Sequence, residues 1–316
     1  MAGPTDPGTP PRLLVAGQGT MIGRAVQRVC ALRADVVLAT CEPEPDFEDR
    51  TAVDRWFRAS NATWAIVAAG ASGGISRNQR EPADLMRNNL LAQTHCLEAA
   101  SRSGVDRLLY LASSCVYPRE TAQPMGPTQL MTGPLEPTSE AFATARLAGL
   151  AMCRAYRTQH GVRFVGAIPA DIYGPGDDFS PEDSHVVSGM LRRMHEAKVA
   201  AEPMFRVWGS GNQRRDFLYV DDLAEACLLT LDRYDGEAPI NLSAGQDVTI
   251  AELATTIRAV VGFEGRLEFD TSRPDGAPRK TLDGGAAARL GFVPRTTLRD
   301  GLERTYRHFL ETRDGR

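Results

Sequence analysis

The chain has 316 residues, 42% of them hydrophobic and 24% charged, with a formal charge of −4. That much apolar material builds one large domain or two smaller ones and excludes disorder as the general state. The mild acidity excludes nucleic acid and anionic membrane surfaces as partners, since both need concentrated lysine and arginine.

Residues 1–12, rich in Pro, Gly and Thr, read as a disordered tail that is neither signal peptide nor anchor. Leu13–Ala16 is a short apolar run ending at Gly17, and Met21–Leu32 then carries helical spacing at Ile22, Val26 and Val29. Further strand-like runs follow at Val36–Ala39, Ala65–Ala69, Arg107–Ala112 and Arg163–Ile168, with helical segments between them. Such alternation predicts an α/β fold, a Rossmann-like doubly wound parallel sheet over 13–168. Helices are expected at His185–Ala200, Val220–Leu231 and Thr249–Val261, the last begun by Thr249 and Glu252 at capping-box spacing. Residues 169–316 form a smaller, interwoven substrate domain, with a segment around 205–245 packing back on the sheet. Six widely spaced cysteines without a C-x-x-C pair argue against zinc or disulfides and for a reducing cytoplasm. No apolar run approaches the ~18 residues that span a bilayer.

Gly17-x-Gly19-x-x-x-Gly23, after a strand and before a helix, is a dinucleotide-type turn whose helix N-terminus can hold a pyrophosphate. Thr20 stands where backbone must approach phosphate closely. Ala39-Thr40-Cys41-Glu42 offers no arginine for a 2′-phosphate, and Glu42 is a weak match to a ribose-binding acid. Cys115 falls just past a strand end, where α/β sheets place ligands, with Ser113 expected on the same face of an extended segment. A lone cysteine is equally well a small buried residue, the reading given to Cys30, Cys96, Cys153 and Cys227. About thirty residues on, Phe142-Ala143-Thr144-Ala145-Arg146 stands where a dehydrogenase carries Tyr-x-x-x-Lys, and phenylalanine has no proton to donate. His185, ahead of a helix with Arg192 and Arg193, reads by itself as a cap or surface residue. Arg214, Arg215, Arg279 and Lys280 lie beside glycine turns, where cations grip diphosphates; Arg214 and Arg279 are taken as solvated charges. Trp208 is either core or a platform for a base.

Ser113-Ser114-Cys115-Val116-Tyr117-Pro118, Tyr173-Gly174-Pro175, Ser184-His185-Val186, Val207-Trp208-Gly209 and Pro274-Asp275-Gly276-Ala277-Pro278-Arg279-Lys280, in this order, resemble the extended short-chain dehydrogenases/reductases. Within them the chain is similar to the GDP-L-fucose synthases, 3,5-epimerases and 4-reductases of GDP-4-keto-6-deoxymannose. The resemblance implies Cys115 as epimerisation base, His185 as acid and Ser113 as the contact to O4 of the sugar. It implies Arg193, Trp208, Arg215 and Lys280 at the GDP-sugar, and a homodimer. It also implies a cofactor site of Gly17, Gly19, Thr20, Met21, Ile22, Gly23, Ala69, Arg146 and Pro169.

The departures fall on that cofactor site. Thr20 replaces a glycine, Gly19 and Cys41 replace arginines, and Phe142 and Arg146 replace the catalytic tyrosine and lysine. NADP or NAD is therefore an optional ligand of an eroded site. The resulting expectation is an epimerase, at C3, C5 or both, of a GDP-linked 4-keto-6-deoxyhexose, with no net reduction. Cys115 would act as a thiolate whose pKa His185 lowers, and Arg146 would take over part of the missing phenol's electrostatic role. One alternative keeps the NAD(P)H-dependent reduction with Ser113, Tyr117 or water as donor; another is a non-catalytic GDP-sugar binder.

Overall fold

The computed structural model describes residues 9–272 and 275–314. The first eight residues of the expected tail, and Pro274 of the last motif, lie outside them. The strands, in chain order, are β1 (Arg12–Ala16), β2 (Val37–Leu38), β3 (Trp64–Val67), β4 (Arg107–Leu111), β5 (Arg163–Pro169), β6 (Asp171–Tyr173), β7 (Met204–Trp208), β8 (Arg214–Arg215), β9 (Phe217–Tyr219), β10 (Ile240–Leu242), β11 (Val248–Thr249), β12 (Arg266–Asp270) and β13 (Arg279–Lys280). The helices are α1 (Met21–Cys30), α2 (Arg50–Ser60), α3 (Ile75–Arg80), α4 (Pro82–Arg102), α5 (Glu140–His160), α6 (Val186–Val199), α7 (Val220–Arg233), α8 (Ile250–Val261), α9 (Gly285–Arg289) and α10 (Leu298–Asp314).

Six strands form one parallel sheet in the order β2-β1-β3-β4-β5-β10. Leu13, Leu14, Val15 and Ala16 of β1 are all buried, as the unbroken apolar run of a strand covered on both faces requires. The order reverses between β1 and β3, and the crevice beyond the carboxyl ends of those strands is where open α/β sheets bind ligands. Helix α1 ends at Cys30, two residues short of its apolar pattern, and Leu32 is exposed.

A second apolar cluster lies outside the sheet, built from α6, β7, β9, α8 and Leu302. α8 begins on a complete capping box: the Thr249 hydroxyl accepts from the Glu252 amide and the Glu252 carboxylate accepts from the Thr249 amide. β10 carries the later chain back onto β5, and α7 packs on α1. β8 and β13 run parallel, with Arg215 in register with Lys280. Among the described residues no helix is long and apolar enough to cross a membrane, and no cluster of His, Cys, Asp and Glu could hold a metal ion.

Candidate active site

The glycine turn joins β1 to α1. Gly17 adopts φ +98°, a conformation that favours glycine, and a Cβ at Gly23 would collide with the Gly17 carbonyl, so helix and turn pack without a side chain between them. Thr20 caps α1: its hydroxyl accepts from the Gly23 amide at 3.0 Å and donates to the Gly17 carbonyl at 2.7 Å. Met21 and Ile22 pack partly on the core, and Gly19 is exposed with its carbonyl accepting from Arg24 at 2.7 Å.

The acid at this turn is Glu44. Its Oε1 accepts from the Gly17 amide at 2.6 Å and the Gln18 amide at 2.8 Å, whereas Glu42, the weak match noted in the sequence, is exposed. The chain geometry fits a dinucleotide turn, in which Glu44 fixes the Gly17 and Gln18 amides and the Thr20 hydroxyl fixes the Gly23 amide, leaving the Met21 and Ile22 amides at the start of α1.

Cys115 lies beyond the carboxyl end of β4. The segment is not extended there: Ser113 caps a short 3-10 turn over Ser114–Val116, and its hydroxyl accepts from the Cys115 amide at 3.4 Å. Ser113 and Cys115 are thus joined by a local cap and do not share a strand face, because the serine hydroxyl satisfies an amide that the strand can no longer pair.

Burial pushes the Cys115 thiol up; Lys280, a hydrogen bond from Ser113 and Arg146 oppose it, and Asp171 reinforces it. Asp171 is an anion that acts on both Cys115 and His185. It accepts from the Ser114 hydroxyl at 3.3 Å and lies 3.9 Å from the Lys280 ammonium.

His185 stands at the N-terminus of α6 without capping it through its side chain. Its Nδ1 is 3.9 Å from the almost fully buried Asp177 carboxylate. That contact raises the imidazole pKa, partly offset by burial, with further upward pulls from Asp171 and Asp178. No hydrogen bond links Cys115 to His185. Asp171 raises the pKa of both groups.

Phe142 and Arg146 are one turn apart on α5 and both are buried. The guanidinium lies 5.2 Å from the Phe142 ring centroid and 6.0 Å from that of Tyr110. It donates to the carbonyls of Leu111, at 3.2 Å, and Ala69, at 3.5 Å. The larger cation is thus seated on the ring that replaced the phenol. Tyr117, the alternative proton donor, is buried and donates to Asn241 at 2.6 Å, with its pKa driven up by burial, so it is tied into the core. Pro169 is buried at the end of β5.

The cations expected at a diphosphate fall into two groups. Arg214 and Arg279 fork one carboxylate, with Nε to Asp247 at 2.6 and 2.5 Å, so they are structural and not free solvated charges. Arg215 instead donates to the carbonyls of Arg214 and Ala277, both at 2.8 Å, and burial lowers its pKa. Arg193 lies 5.0 Å from the Trp208 ring, and Trp208 is 63% exposed, which favours a stacking platform over a core role. Asp275 accepts from the Ser210 amide and hydroxyl, tying the turn after Trp208 to the segment that carries Lys280. Cys30, Cys96, Cys153 and Cys227 are buried as expected.

Sequence reasoning missed Glu44, Asp171 and Asp216. Asp216 is buried between Ser243, the Ala244 amide and the Leu282 amide, and desolvation raises its pKa to about 6. Asp171 follows a strand end by two residues, and that position is the signal that could have found it.

The NAD dependent epimerase/dehydratase family matches residues 13–245. GDP-L-fucose synthase 1 of Arabidopsis thaliana is 43% identical over 302 residues, covering 95% of this chain and 93% of the relative. GDP-L-fucose synthase of Escherichia coli (strain K12) is 40% identical over 313 residues, covering 96% of this chain and 98% of the relative. The crystal structure of a GDP-L-fucose synthetase from Naegleria fowleri bound to NADP superposes with a TM-score of 0.88 at 27% identity, covering 96% of this chain and 94% of that one.

Proposed function

Because the chain belongs to the NAD dependent epimerase/dehydratase family, we propose that it acts on a GDP-linked 4-keto-6-deoxyhexose and inverts carbons beside the ketone with Cys115 and His185 as the proton-transfer pair. The observation that carries this reading is the constellation of Cys115, Lys280, Asp171 and His185 beyond the carboxyl ends of β4 and β5.

A C4 ketone acidifies the hydrogens at C3 and C5, so inversion requires a proton removed from one face and returned to the other. Cys115 as thiolate removes it; Lys280 and Arg146 are the cations that favour the thiolate against burial. Asp177 favours the protonated form of His185, the group that returns the proton. The enolate charge at O4 needs donors, and the Ser113 hydroxyl and Arg146 guanidinium provide them. Losing one donor of this kind costs on the order of 10² to 10³ in rate.

A second reading adds reduction at C4 with NAD(P)H. The relatives favour it over an epimerase-only enzyme, since those named above are synthases and one solved neighbour was crystallised with NADP. Against it stands Phe142, which cannot protonate O4.

The test is incubation with GDP-4-keto-6-deoxymannose in heavy water, with and without NADPH. Deuterium at C3 or C5 without dinucleotide, lost in Cys115→Ala, is expected. Its absence, with a competent synthase labelling in parallel, removes the proposal. Stoichiometric NADPH oxidation establishes the second reading.

A further inference from the structure

Asp177 and His185 stand near opposite ends of the loop between β6 and α6, and the loop folds so that they meet. A Cβ at Gly174 would strike Val220 of α7, so the chain leaves β6 through a tight turn, closed by the Asp177 amide donating to the Gly174 carbonyl. Phe179 anchors the middle of the loop on Phe309 of α10, with ring centroids 4.9 Å apart, and the Asp183 carbonyl accepts from the Gly74 amide at its far end. Within this frame the Asp177 side chain is 4% exposed and that of His185 48%, so the carboxylate meets the ring from the protein side and leaves the rest of it open. Its Oδ1 accepts from the Asp178 amide at 2.8 Å, while its Oδ2 is buried and, among the described residues, has no hydrogen-bond partner. A buried acceptor without a donor is costly, and Nδ1 of His185, 3.9 Å from Oδ1, is a donor within reach. At that distance the contact is an ion pair and not a hydrogen bond; a shift of the ring by about 1 Å makes it one.

We infer that Asp177 is the positioning residue of His185: it keeps a proton on Nδ1 and so makes Nε2 the nitrogen that gives its proton to the sugar carbon. This rests on the reading of His185 as the proton-returning group. A neutral imidazole carries its single proton on either nitrogen, and a fixed acceptor at one of them decides which nitrogen is left for the reaction. With Asp177 at Nδ1, the imidazolium passes its Nε2 proton to the enolate carbon and is left neutral, its remaining proton still on Nδ1. One N–H bond breaks, one C–H bond forms, and no further reactant is needed. Asp178 on the same loop and Asp171 on β6 also favour the charged ring, but among the described residues Asp177 alone lies within ion-pair distance of it.

The test labels histidine with nitrogen-15 and reads the His185 ring by NMR, without sugar substrate, in wild type, Asp177→Asn and Asp177→Ala, with thermal unfolding as the control for folding. Asn keeps an oxygen for the Asp178 amide and for Nδ1 but carries no charge, whereas Ala removes both. The neutral wild-type ring should carry its proton on Nδ1; Asn should keep that tautomer with a lower titration midpoint, and Ala should move the proton toward Nε2. In parallel, deuterium incorporation from heavy water into GDP-4-keto-6-deoxymannose should show kcat at least about tenfold lower in Asp177→Ala with KM within about twofold of wild type, and a smaller loss in Asp177→Asn. A wild-type ring protonated on Nε2, a tautomer indifferent to Asp177→Ala, or an unchanged kcat in that folded variant overturns the inference. A titration midpoint in Asp177→Asn equal to that of wild type does so too, which decides the matter if Asp177→Ala does not fold. If wild type incorporates no deuterium, the assigned reaction fails instead, and the tautomers alone decide the role of Asp177.

Discussion

Replacing Phe142 by leucine while Arg146 is present isolates the interaction that distinguishes this site. The ring is 9% exposed and the guanidinium 7% exposed, with their centres 5.2 Å apart, so water screens the contact little. A desolvated cation–π contact contributes about 2 kcal/mol, and the near-isosteric loss of the ring adds about 1 kcal/mol of packing. Phe142→Leu should therefore cost about 3 kcal/mol. Arg146→Met loses the same ring contact but relieves a buried guanidinium whose Nε is without a hydrogen-bond partner, so its net cost should be near zero. In the double variant only the packing loss and the relieved desolvation remain alongside the lost contact, for a net cost of about 1 kcal/mol and a coupling of about 2 kcal/mol. Urea unfolding of the four proteins measures it. A coupling below about 0.5 kcal/mol would show that the two replacements on α5 are energetically independent and refute their treatment as a matched pair.

Three titrations follow from the charges around the site. The pH midpoint for alkylation of Cys115 by iodoacetamide should lie above the ordinary thiol value of 9.0, rise further in Lys280→Met and fall in Asp171→Asn; no movement in Lys280→Met would remove the lysine as its charge partner. The His185 pKa is raised in the folded state, so the stability from its contact with Asp177 is present below about pH 6.5 and lost as pH rises through the folded value. Asp177→Asn should then cost stability at pH 5.5 and little at pH 8.5, with the imidazole titration followed by NMR; an equal cost at both pH values contradicts the assignment. Asp216 holds its proton up to about 6, so wild-type stability should fall between about pH 4 and pH 6 by about 3 kcal/mol. Asp216→Asn should flatten that segment of the curve in urea unfolding, and persistence of the slope would place its origin elsewhere.

The sheet was legible because its strands are unbroken apolar runs ended by glycine or polar residues, and α8 because Thr249 and Glu252 spell out their own reciprocal hydrogen bonds. Cys115 was legible as a strand-end residue, but the turn around it was not, since Ser113 reads identically in an extended segment and as a cap. Glu44 was invisible for a different reason. It meets the Gly17 amide across 27 positions of sequence from an irregular loop. No periodicity encodes such a contact, and Glu42, two residues earlier, looks equivalent in one dimension. Trp208 stayed open between core and platform because its exposure depends on the paired strands β7 and β12 and on Arg193 from α6, all set by tertiary packing.

Charge compensation separates the two halves of the crevice. On the sugar side, Arg193 and Arg215 are partly buried cations whose pKa values desolvation lowers, and Lys280 faces Asp171 only at 3.9 Å. An incoming diphosphate would relieve that imbalance, so binding energy is available there. On the dinucleotide side the donors of the glycine turn already hold Glu44 and Thr20, and Arg146 is seated on an aromatic ring. The cations expected at the sugar nucleotide are therefore the less compensated of the two sets, and a loss of nucleotide-sugar affinity in Arg215→Met would be the direct sign that the imbalance is used in binding.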